Sequence, residues 1–243
     1  MTDAPLLEAD NLTAGYLPGV DILRGCCVSV GAGELIGVIG PNGAGKSTLI
    51  KTVFGLVPVR SGTVCLRGEP ITNLPAHALV ARGVGYVPQT RNVFATLTVD
   101  ENLQMGLYLR HKELAGRMRD VFESFPLLAR RRKQKAGSMS GGERQVLAMA
   151  RALMMQPEVL LLDEPSAGLS PIAQDEVFEH VRQVNASGVS ILMVEQNARR
   201  CLQICHRGYV LDQGCNAYEG TGQELLHDPK VIELYLGTLA RVR

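Results

Sequence analysis

The sequence contains no tryptophan, and aromatic residues make up only 5% of its 243 residues. It also lacks an excess of either charge, because 25 lysines and arginines nearly balance 24 aspartates and glutamates. Proteins that bind nucleic acids commonly carry a marked basic surplus, so a net charge of +1 argues against a nucleic acid as the partner. Hydrophobic residues reach 46%, which predicts a substantial buried core rather than disorder.

Long hydrophobic runs are also missing. No apolar stretch approaches the roughly 20 residues that a membrane-spanning helix needs. The first ten residues contain no basic segment followed by an apolar one, so the sequence predicts no secretory signal. We therefore expect a protein that stays in the cytosol.

The six cysteines do not form a zinc-site pattern. Cys201 and Cys205 are one helical turn apart, which is compatible with a metal site, but no second pair with suitable spacing accompanies them. We expect the cysteines to be reduced thiols that are buried or half-buried, as is usual in a cytosolic protein.

Apolar segments of strand length alternate with segments of helical period, and this alternation predicts an α/β fold with a mostly parallel sheet. Strands are predicted at residues 34–39, 63–66, 83–88, 159–163 and 189–194, and a helix at about 46–54. Ser170 and Pro171 are typical of a helix start, and that helix should end near Gly188.

The segment from about residue 91 to 156 has helical patterns and no convincing strand, so we predict an all-helical insertion in a single domain whose α/β core is 1–90 and 157–243. Thr98 and Ser140 each begin a Ser/Thr-x-x-Glu capping box. A basic cluster lies within the insertion and is interpreted as a solvated face, with a partner contact as the alternative. The cluster consists of Arg130, Arg131, Arg132, Lys133 and Lys135.

A glycine-rich stretch follows the predicted strand at 34–39 and has the spacing G-x-x-x-x-G-K-S of a phosphate-binding loop. Glycines let successive backbone N–H groups converge on one anion, and the following helix adds the positive end of its dipole. Lys46 supplies a charge for the β- and γ-phosphates, and the Ser47 hydroxyl is suited to Mg²⁺. The residues expected to bind nucleotide are Gly40, Pro41, Asn42, Gly43, Ala44, Gly45, Lys46, Ser47 and Thr48.

Two carboxylates lie at the carboxyl end of the apolar strand at 159–163. Asp163 ends this strand and is predicted to hold the magnesium ion, usually through water. Glu164 comes directly after it and is placed to polarise an attacking water. Together with the phosphate loop, these residues predict hydrolysis of a nucleoside triphosphate.

Three further features resemble the ATPase subunits of ATP-binding-cassette (ABC) transporters. Residues 140–145, Ser-Gly-Gly-Glu-Arg-Gln, resemble the family signature, with Met139 where leucine is usual. Gln89, after Tyr-Val-Pro, resembles the Q-loop glutamine, and Tyr16 lies where an aromatic side chain of this family stacks on adenine. The order of these elements extends the resemblance over the whole chain.

This resemblance implies a phosphate-loop NTPase fold: a RecA-like core with a mostly parallel sheet, an antiparallel side sheet and an inserted helical subdomain. ATP and Mg²⁺ are the implied cofactors, with Ser47, Gln89 and Asp163 at the metal and Glu164, Gln196 and Lys46 in catalysis. The signature would act on a nucleotide held by a second ATPase subunit. Its residues are Ser140, Gly141, Gly142, Glu143 and Gln145.

The same resemblance implies the partners of the chain. Two ATPase subunits form a head-to-tail dimer, either of different chains or of two copies. The dimer works on two membrane permease subunits, and through them with a substrate-binding protein. The chain would therefore lie peripherally on the cytoplasmic face of the inner (plasma) membrane.

Two positions depart from the family pattern. Gln196 stands where histidine usually contacts the γ-phosphate, and glutamine can donate a hydrogen bond but cannot titrate near neutral pH. Ser170 replaces an aspartate of the D-loop and is suited to cap the following helix. These two positions suggest an alternative: the chain hydrolyses ATP slowly, or it is a regulatory module that binds ATP.

Three short stretches resemble the second ATPase of branched-chain amino-acid importers. They are Val-Glu-Gln-Asn at 194–197, Gly-Leu-Ser-Pro at 168–171 and Tyr-Leu-Gly at 235–237. Importers of urea or short amides have closely similar subunits. Export of lipid or lipopolysaccharide remains a further alternative.

Overall fold

The chain folds around two β-sheets, as seen in a computed structural model that describes residues 4–107 and 113–240, with side chains described up to residue 234. The strands are β1 (Leu7–Ala14), β2 (Leu23–Val30), β3 (Leu35–Ile39), β4 (Val59–Leu66), β5 (Glu69–Pro70), β6 (Val84–Val87), β7 (Val159–Asp163), β8 (Ser190–Val194), β9 (Arg207–Asp212) and β10 (Cys215–Thr221). The helices are α1 (Lys46–Val53), α2 (Ala76–Ala81), α3 (Val99–Gly106), α4 (Leu114–Ser124), α5 (Pro126–Arg130), α6 (Gly141–Leu153), α7 (Pro171–Ala186), α8 (Ala198–Ile204), α9 (Gly222–His227) and α10 (Pro229–Ala240).

The larger sheet has the order β10-β9-β3-β8-β7-β6, and all of its neighbouring pairs are parallel except β9 with β10. Every residue of β3, β7 and β8 is buried. Strands covered on both faces have continuous apolar sequences, which explains why these three were visible in the sequence. The predicted α/β fold with a mostly parallel sheet is confirmed.

Two hydrophobic clusters cover the two faces of this sheet. Side chains alternate along a strand, so Leu35 and Ile39 of β3 join one cluster while Ile36 and Val38 join the other. The first cluster contains the apolar faces of α3, α4, α6, α7 and α8. The second contains α1 and the smaller sheet. The sheet thus lies between two layers and presents the carboxyl ends of its parallel strands at one edge.

The smaller sheet is antiparallel, with the order β2-β1-β4-β5. It is the side sheet that the family resemblance implied. The strand predicted at 63–66 covers only half of β4, which begins at Val59. Its first half, Val-Arg-Ser-Gly, has little apolar content, and pairing with β1 determines its conformation instead.

Within the described part of residues 88–158 the chain forms helices and turns, with an isolated bridge between Thr98 and Lys135. Both predicted capping boxes are confirmed. Thr98 caps α3 and Ser140 caps α6, and in each case the hydroxyl accepts the N–H of a glutamate whose carboxylate accepts the N–H of the cap residue. These reciprocal bonds fix where α3 and α6 begin.

Two arginines of the basic cluster contact other parts of the chain, so the cluster is only partly the solvated face that was expected. Arg131 forms an ion pair with Glu143 of α6 at 2.9 Å. Arg132 pairs with Asp100 at 2.9 Å and lies over the ring of Phe122. Arg130, Lys133 and Lys135 are exposed. The cluster therefore attaches the loop after α5 to α3, α4 and α6.

The expectation of buried or half-buried cysteines is correct for four of the six. Cys201 and Cys205 are buried beside Gly37, where a Cβ atom would come within 2.6 Å of the Cys201 sulfur. Cys27 and Cys215 are exposed, contrary to expectation, because they lie on outward positions of β2 and β10. No helix among the described residues is long and apolar enough to cross a membrane.

Candidate nucleotide site

The glycine-rich loop connects β3 to α1 at the carboxyl edge of the parallel sheet. Gly40 packs against the backbone of β9, and a Cβ atom there would lie 2.3 Å from the Leu211 carbonyl oxygen. Gly45 has φ +102° and precedes the first turn of α1. Glycine is needed at Gly40 because a side chain would collide with this carbonyl oxygen, and at Gly45 because of its positive φ. The loop consequently brings backbone N–H groups and a helix N-terminus to one place.

Lys46 is 4% exposed and reaches back across the loop. Its Nζ donates hydrogen bonds to the carbonyl oxygens of Gly40, at 2.8 Å, and Pro41, at 3.1 Å. Burial lowers the pKa of the Lys46 ammonium, while neighbouring carboxylates, led by Glu164, act to raise it. The loop therefore encloses a cation that is positioned by main-chain oxygens.

Asp163, at the end of β7, is 1% exposed. Its Oδ2 accepts a hydrogen bond from the Tyr86 hydroxyl at 3.3 Å and lies 3.9 Å from the Lys51 Nζ. Its Oδ1 is buried and has no hydrogen-bond partner among the described residues. Burial raises the pKa of Asp163, and the nearby Ser47 hydroxyl and Lys51 ammonium only partly offset this. A buried carboxylate oxygen without a partner, close to a serine hydroxyl, is well suited to Mg²⁺.

Glu164 follows Asp163 with φ +47°, a left-handed conformation that is uncommon for a residue with a side chain. Its N–H donates to the Val194 carbonyl oxygen at 2.9 Å, which holds the backbone against the end of β8. Its Oε2 accepts a hydrogen bond from Gln89 Nε2 at 2.8 Å. The structure thus brings Gln89 and Glu164, two of the residues expected at the nucleotide site, into contact.

Glu164 faces the loop across a cavity of about 290 Å³. The lining residues are Ile22, Asn42, Gly43, Gly45, Lys46, Ser47, Thr48 and Glu164. Tyr16 lies on the same segment as Ile22, between β1 and β2, and is 54% exposed. An exposed aromatic ring on this segment has a free face available for stacking.

Gln196 is brought to the phosphate loop, where its Nε2 donates a hydrogen bond to Asn42 Oδ1 at 3.1 Å. The residue before it, Glu195, is fully buried, and its carboxylate accepts the N–H groups of Ser166, Gln196 and Asn197 at 2.9, 3.0 and 3.2 Å. Burial raises the pKa of Glu195, and these backbone hydrogen bonds act against the shift. Glu195 therefore joins the loop after β7 to the loop after β8.

Glu195 was not predicted as a site residue, although the sequence pattern that indicated Asp163 is also present at Glu195. Both are acidic residues at the carboxyl end of an all-buried strand. The loop after β7 is held further by Gln174, whose Nε2 donates to the carbonyl oxygens of Ser166 and Leu169. Ser170 caps α7 through the N–H of Ala173 at 3.4 Å, as predicted.

The signature residues form the N-terminus of α6, and none of them lines the cavity beside the phosphate loop. Ser140 is exposed. Gln145 is 5% exposed, and its Oε1 accepts a hydrogen bond from Asn92 Nδ2 at 2.5 Å inside this chain. Asn92 was not expected to take part, since its contact with Gln145 spans 53 residues of sequence. The chain thus carries a second glycine-rich helix N-terminus, apart from the first.

The fold, the loop and the two carboxylates at the carboxyl end of β7 define a phosphate-loop nucleotide-binding protein. The family model described as ABC transporter matches residues 23–167. This chain belongs to the ABC transporter family, and within it to the ATP-binding subunits, which are ATPases.

Two curated relatives and one solved structure illustrate the similarity. The chain is 44% identical over 233 residues to the high-affinity branched-chain amino acid transport ATP-binding protein BraG of Pseudomonas aeruginosa, covering 96% of this chain and 100% of the relative. It is 36% identical over 235 residues to the lipopolysaccharide export system ATP-binding protein LptB of Escherichia coli K12, covering 95% and 97%. A crystal structure of the ADP conformation of an ATP-binding cassette of an ABC transporter superposes with a TM-score of 0.85 at 30% identity, covering 96% of this chain and 99% of that one.

Proposed function

We propose that this chain binds and hydrolyses Mg-ATP to drive import of branched-chain amino acids through separate membrane permeases. One observation carries the mechanism. The phosphate loop with its buried Lys46 faces Glu164 across one cavity, and the adjacent Asp163 keeps a buried oxygen without a partner. These are the groups that a nucleoside triphosphate and its cation require.

The triphosphate binds along the loop, where backbone N–H groups and the α1 dipole stabilise its charge. Lys46 exchanges its carbonyl partners for the β- and γ-phosphate oxygens. Ser47, Gln89 and Asp163 would hold the magnesium ion, which would supply positive charge to offset that of the phosphates. Gln89 would turn from Glu164 toward this ion, which would leave the Glu164 carboxylate free to accept a hydrogen bond from water.

Glu164 then acts on the attacking water. Its left-handed backbone conformation turns it out of the line of β7, so that it lines the cavity instead of continuing the strand. Gln196 is held at the loop by its hydrogen bond to Asn42 and donates its amide to the γ-phosphate. A hydrogen bond to such a charged group contributes roughly 1.5–3 kcal/mol. Tyr16 stacks on the adenine ring.

The signature residues act on the nucleotide of a second ATPase subunit. The N-terminus of α6, where Ser140 is exposed, Gly141 half-buried and Gly142 buried, presents N–H groups and a positive dipole end to that γ-phosphate. ATP contacts both subunits and so favours the closed head-to-tail pair, and loss of the γ-phosphate reverses this preference. We propose a heterodimer, with two copies of this chain as the alternative.

The helical insertion at about 91–156 transmits closure to the permeases. Gln89 lies at its start and touches Glu164, and Asn92 connects the same loop to the signature helix through Gln145. The chain then lies on the cytoplasmic face of the membrane and meets the substrate-binding protein only through the permeases.

Identity of 44% to a branched-chain amino acid transport protein favours that substrate over lipopolysaccharide export, at 36%. Uptake of urea or short amides is a close alternative, since the substrate is chosen by the permeases and the binding protein. Identification of the membrane proteins that co-purify with the chain distinguishes these cases.

Replacement of Glu164 by glutamine tests the catalytic assignment. We expect Glu164→Gln to retain ATP binding and to lose about 10²–10⁴-fold in turnover, because general-base assistance is removed. The measurement is steady-state ATP hydrolysis by the assembled transporter, with nucleotide binding measured in parallel. The control is Glu158→Gln, which alters an exposed carboxylate at the opposite end of β7.

Unchanged turnover in Glu164→Gln would remove this residue from the mechanism. The presence of Gln196 in place of histidine favours a second candidate, an ATP-binding regulatory subunit with weak hydrolysis. If the unmodified protein in the assembled transporter binds ATP but shows no hydrolysis above background, that second candidate is correct.

A further inference from the structure

The two oxygens of the Asp163 carboxylate have different surroundings. Oδ2 is contacted by the Tyr86 hydroxyl at 3.3 Å and by the Lys51 ammonium at 3.9 Å. Oδ1 is buried and has no hydrogen-bond partner among the described residues, although the Ser47 hydroxyl is near enough to this carboxylate to act on its pKa. A carboxylate with one oxygen held and the other left free has a defined orientation, and the free oxygen is the one available to a cation.

Tyr86 is itself fixed in position. It lies on β6, which pairs in parallel with β7, and the partner of Tyr86 in this register is Leu161, two residues before Asp163. Its ring stacks on Phe54, directly after α1, with centroids 4.7 Å apart and an angle of 28° between the planes. The hydroxyl therefore reaches Asp163 from a side chain that strand pairing and ring stacking both restrain.

We propose that Tyr86 is a positioning residue for the metal site: its hydroxyl binds Oδ2 of Asp163 so that Oδ1 is presented to the magnesium ion of Mg-ATP. This inference rests on the proposed function, which supplies the ion. Lys51 contacts the same oxygen and balances the charge of the carboxylate, but at 3.9 Å from a partly exposed stem it constrains orientation less.

The expected effect follows from the general behaviour of groups that orient metal ligands. Removing such a partner typically lowers metal affinity by about 10–100-fold, because the ligand then samples orientations that do not bind. The Tyr86→Phe substitution removes only the hydroxyl and keeps the ring that stacks on Phe54. The fold is therefore retained, and the nucleotide contacts of the phosphate loop are not altered.

The experiment measures ATP binding to the purified chain by calorimetry at stepped Mg²⁺ concentrations and again in EDTA. For Tyr86→Phe we expect an increase of about 10-fold in the Mg²⁺ concentration that gives half of the full Mg²⁺ effect on ATP affinity. The affinity for ATP in EDTA should be unchanged. Asp163→Asn is the reference for loss of the metal ligand. Tyr209→Phe is the matched control, since it removes a buried tyrosine hydroxyl that bonds Ser29 and Arg207 instead.

A Mg²⁺ midpoint for Tyr86→Phe within about twofold of the unmodified chain would overturn the inference, while ATP binding by both would leave the proposed function intact. A shift of the same size in Tyr209→Phe would also overturn it, because any lost tyrosine hydroxyl would then suffice. Failure of the unmodified chain to bind ATP at any Mg²⁺ concentration would contradict the proposed function and, with it, the inference.

Discussion

The helix N-termini of α1 and α6 both carry glycines and an anion-binding dipole, yet their surroundings differ. The N-terminus of α1 borders a cavity and is accompanied by the buried Lys46 and by Glu164. The N-terminus of α6 is capped by its own residues, Ser140 and Glu143, and lies outside that cavity. The first therefore has a buried cation and a carboxylate that faces the cavity, whereas the carboxylate at the second is engaged in its own helix cap.

We propose that the two are complementary parts of one kind of site. In an ordinary helix the first four N–H groups lack partners within the helix. The capping box on α6 satisfies the N–H of Glu143 and leaves the glycine N–H groups that precede it without an intrahelical acceptor. A γ-phosphate held on another subunit is the acceptor that we propose for them.

Adding a negative charge to the N-terminus of α6 should give the largest difference between an effect on ATP binding and an effect on turnover. Ser140→Asp keeps a side chain that caps helices well, but it adds a negative charge where the partner's γ-phosphate is proposed to bind. We expect unchanged ATP binding by the isolated chain, and at least about a 10-fold loss of turnover in the assembled transporter, corresponding to about 1.4 kcal/mol or more. Nucleotide binding and hydrolysis assays measure the two quantities.

Thr98→Asp is the matched control, because Thr98 caps α3 in the same capping box arrangement. It should change neither binding nor turnover substantially. If Ser140→Asp hydrolyses ATP as fast as Thr98→Asp does, the N-terminus of α6 is only a helix cap and the comparison with α1 fails.

The two ends of β3 also differ, and a substitution at its amino end is expected to have a smaller effect than the one at α6. The phosphate loop follows its carboxyl end, whereas Glu34 precedes its amino end and binds Arg207 through both carboxylate oxygens, at 3.0 and 3.2 Å. Burial acts to raise the pKa of Glu34, but the Arg207 guanidinium and the Gly31 N–H outweigh it and hold the pKa below its usual value of 4.5. We therefore expect this end of the strand to contribute to stability and to take no part in nucleotide binding.

A lowered pKa in the folded state means that the ionised Glu34 stabilises the fold above its unfolded-state pKa, and that this stabilisation is lost as the pH falls through the folded-state pKa. We expect Glu34→Gln to lower the free energy of unfolding by about 1 kcal/mol at pH 7, after allowance for its partial exposure. The difference from the unmodified chain should disappear in acid. Urea unfolding at several pH values measures it.

Glu69→Gln, on the exposed strand β5, should leave stability unchanged. A pH-independent effect of Glu34→Gln would show that the ion pair with Arg207 is not its origin. Any change in ATP affinity would contradict the separation between the two ends of β3.

The parts of the site visible in the sequence are those that local patterns determine. The loop at 40–48, the all-buried strand ending at Asp163, and the caps Thr98 and Ser140 each depend on residues within a few positions of one another. Their physical requirements, such as a left-handed glycine or a hydroxyl three residues before a glutamate, can be recognised without the fold.

Contacts between distant segments were not predictable in this way. The bonds of Tyr86 to Asp163, of Asn92 to Gln145 and of Glu195 to Ser166 join residues separated by 77, 53 and 29 positions. Strands β9 and β10 were likewise missed, because β10 alternates between exposed and half-buried positions and forms through its pairing with β9. Such elements depend on tertiary contacts more than on intrinsic preference.

The most direct test of the central claim is calorimetry of ATP with the folded chain in excess magnesium, alongside the Lys46→Ala variant. The account predicts saturable binding of about one nucleotide per chain, because the loop provides one phosphate site, and a large loss of affinity in Lys46→Ala, which lacks the buried cation. Absence of heat from the unmodified folded chain, or equal affinity of the two proteins, would contradict it.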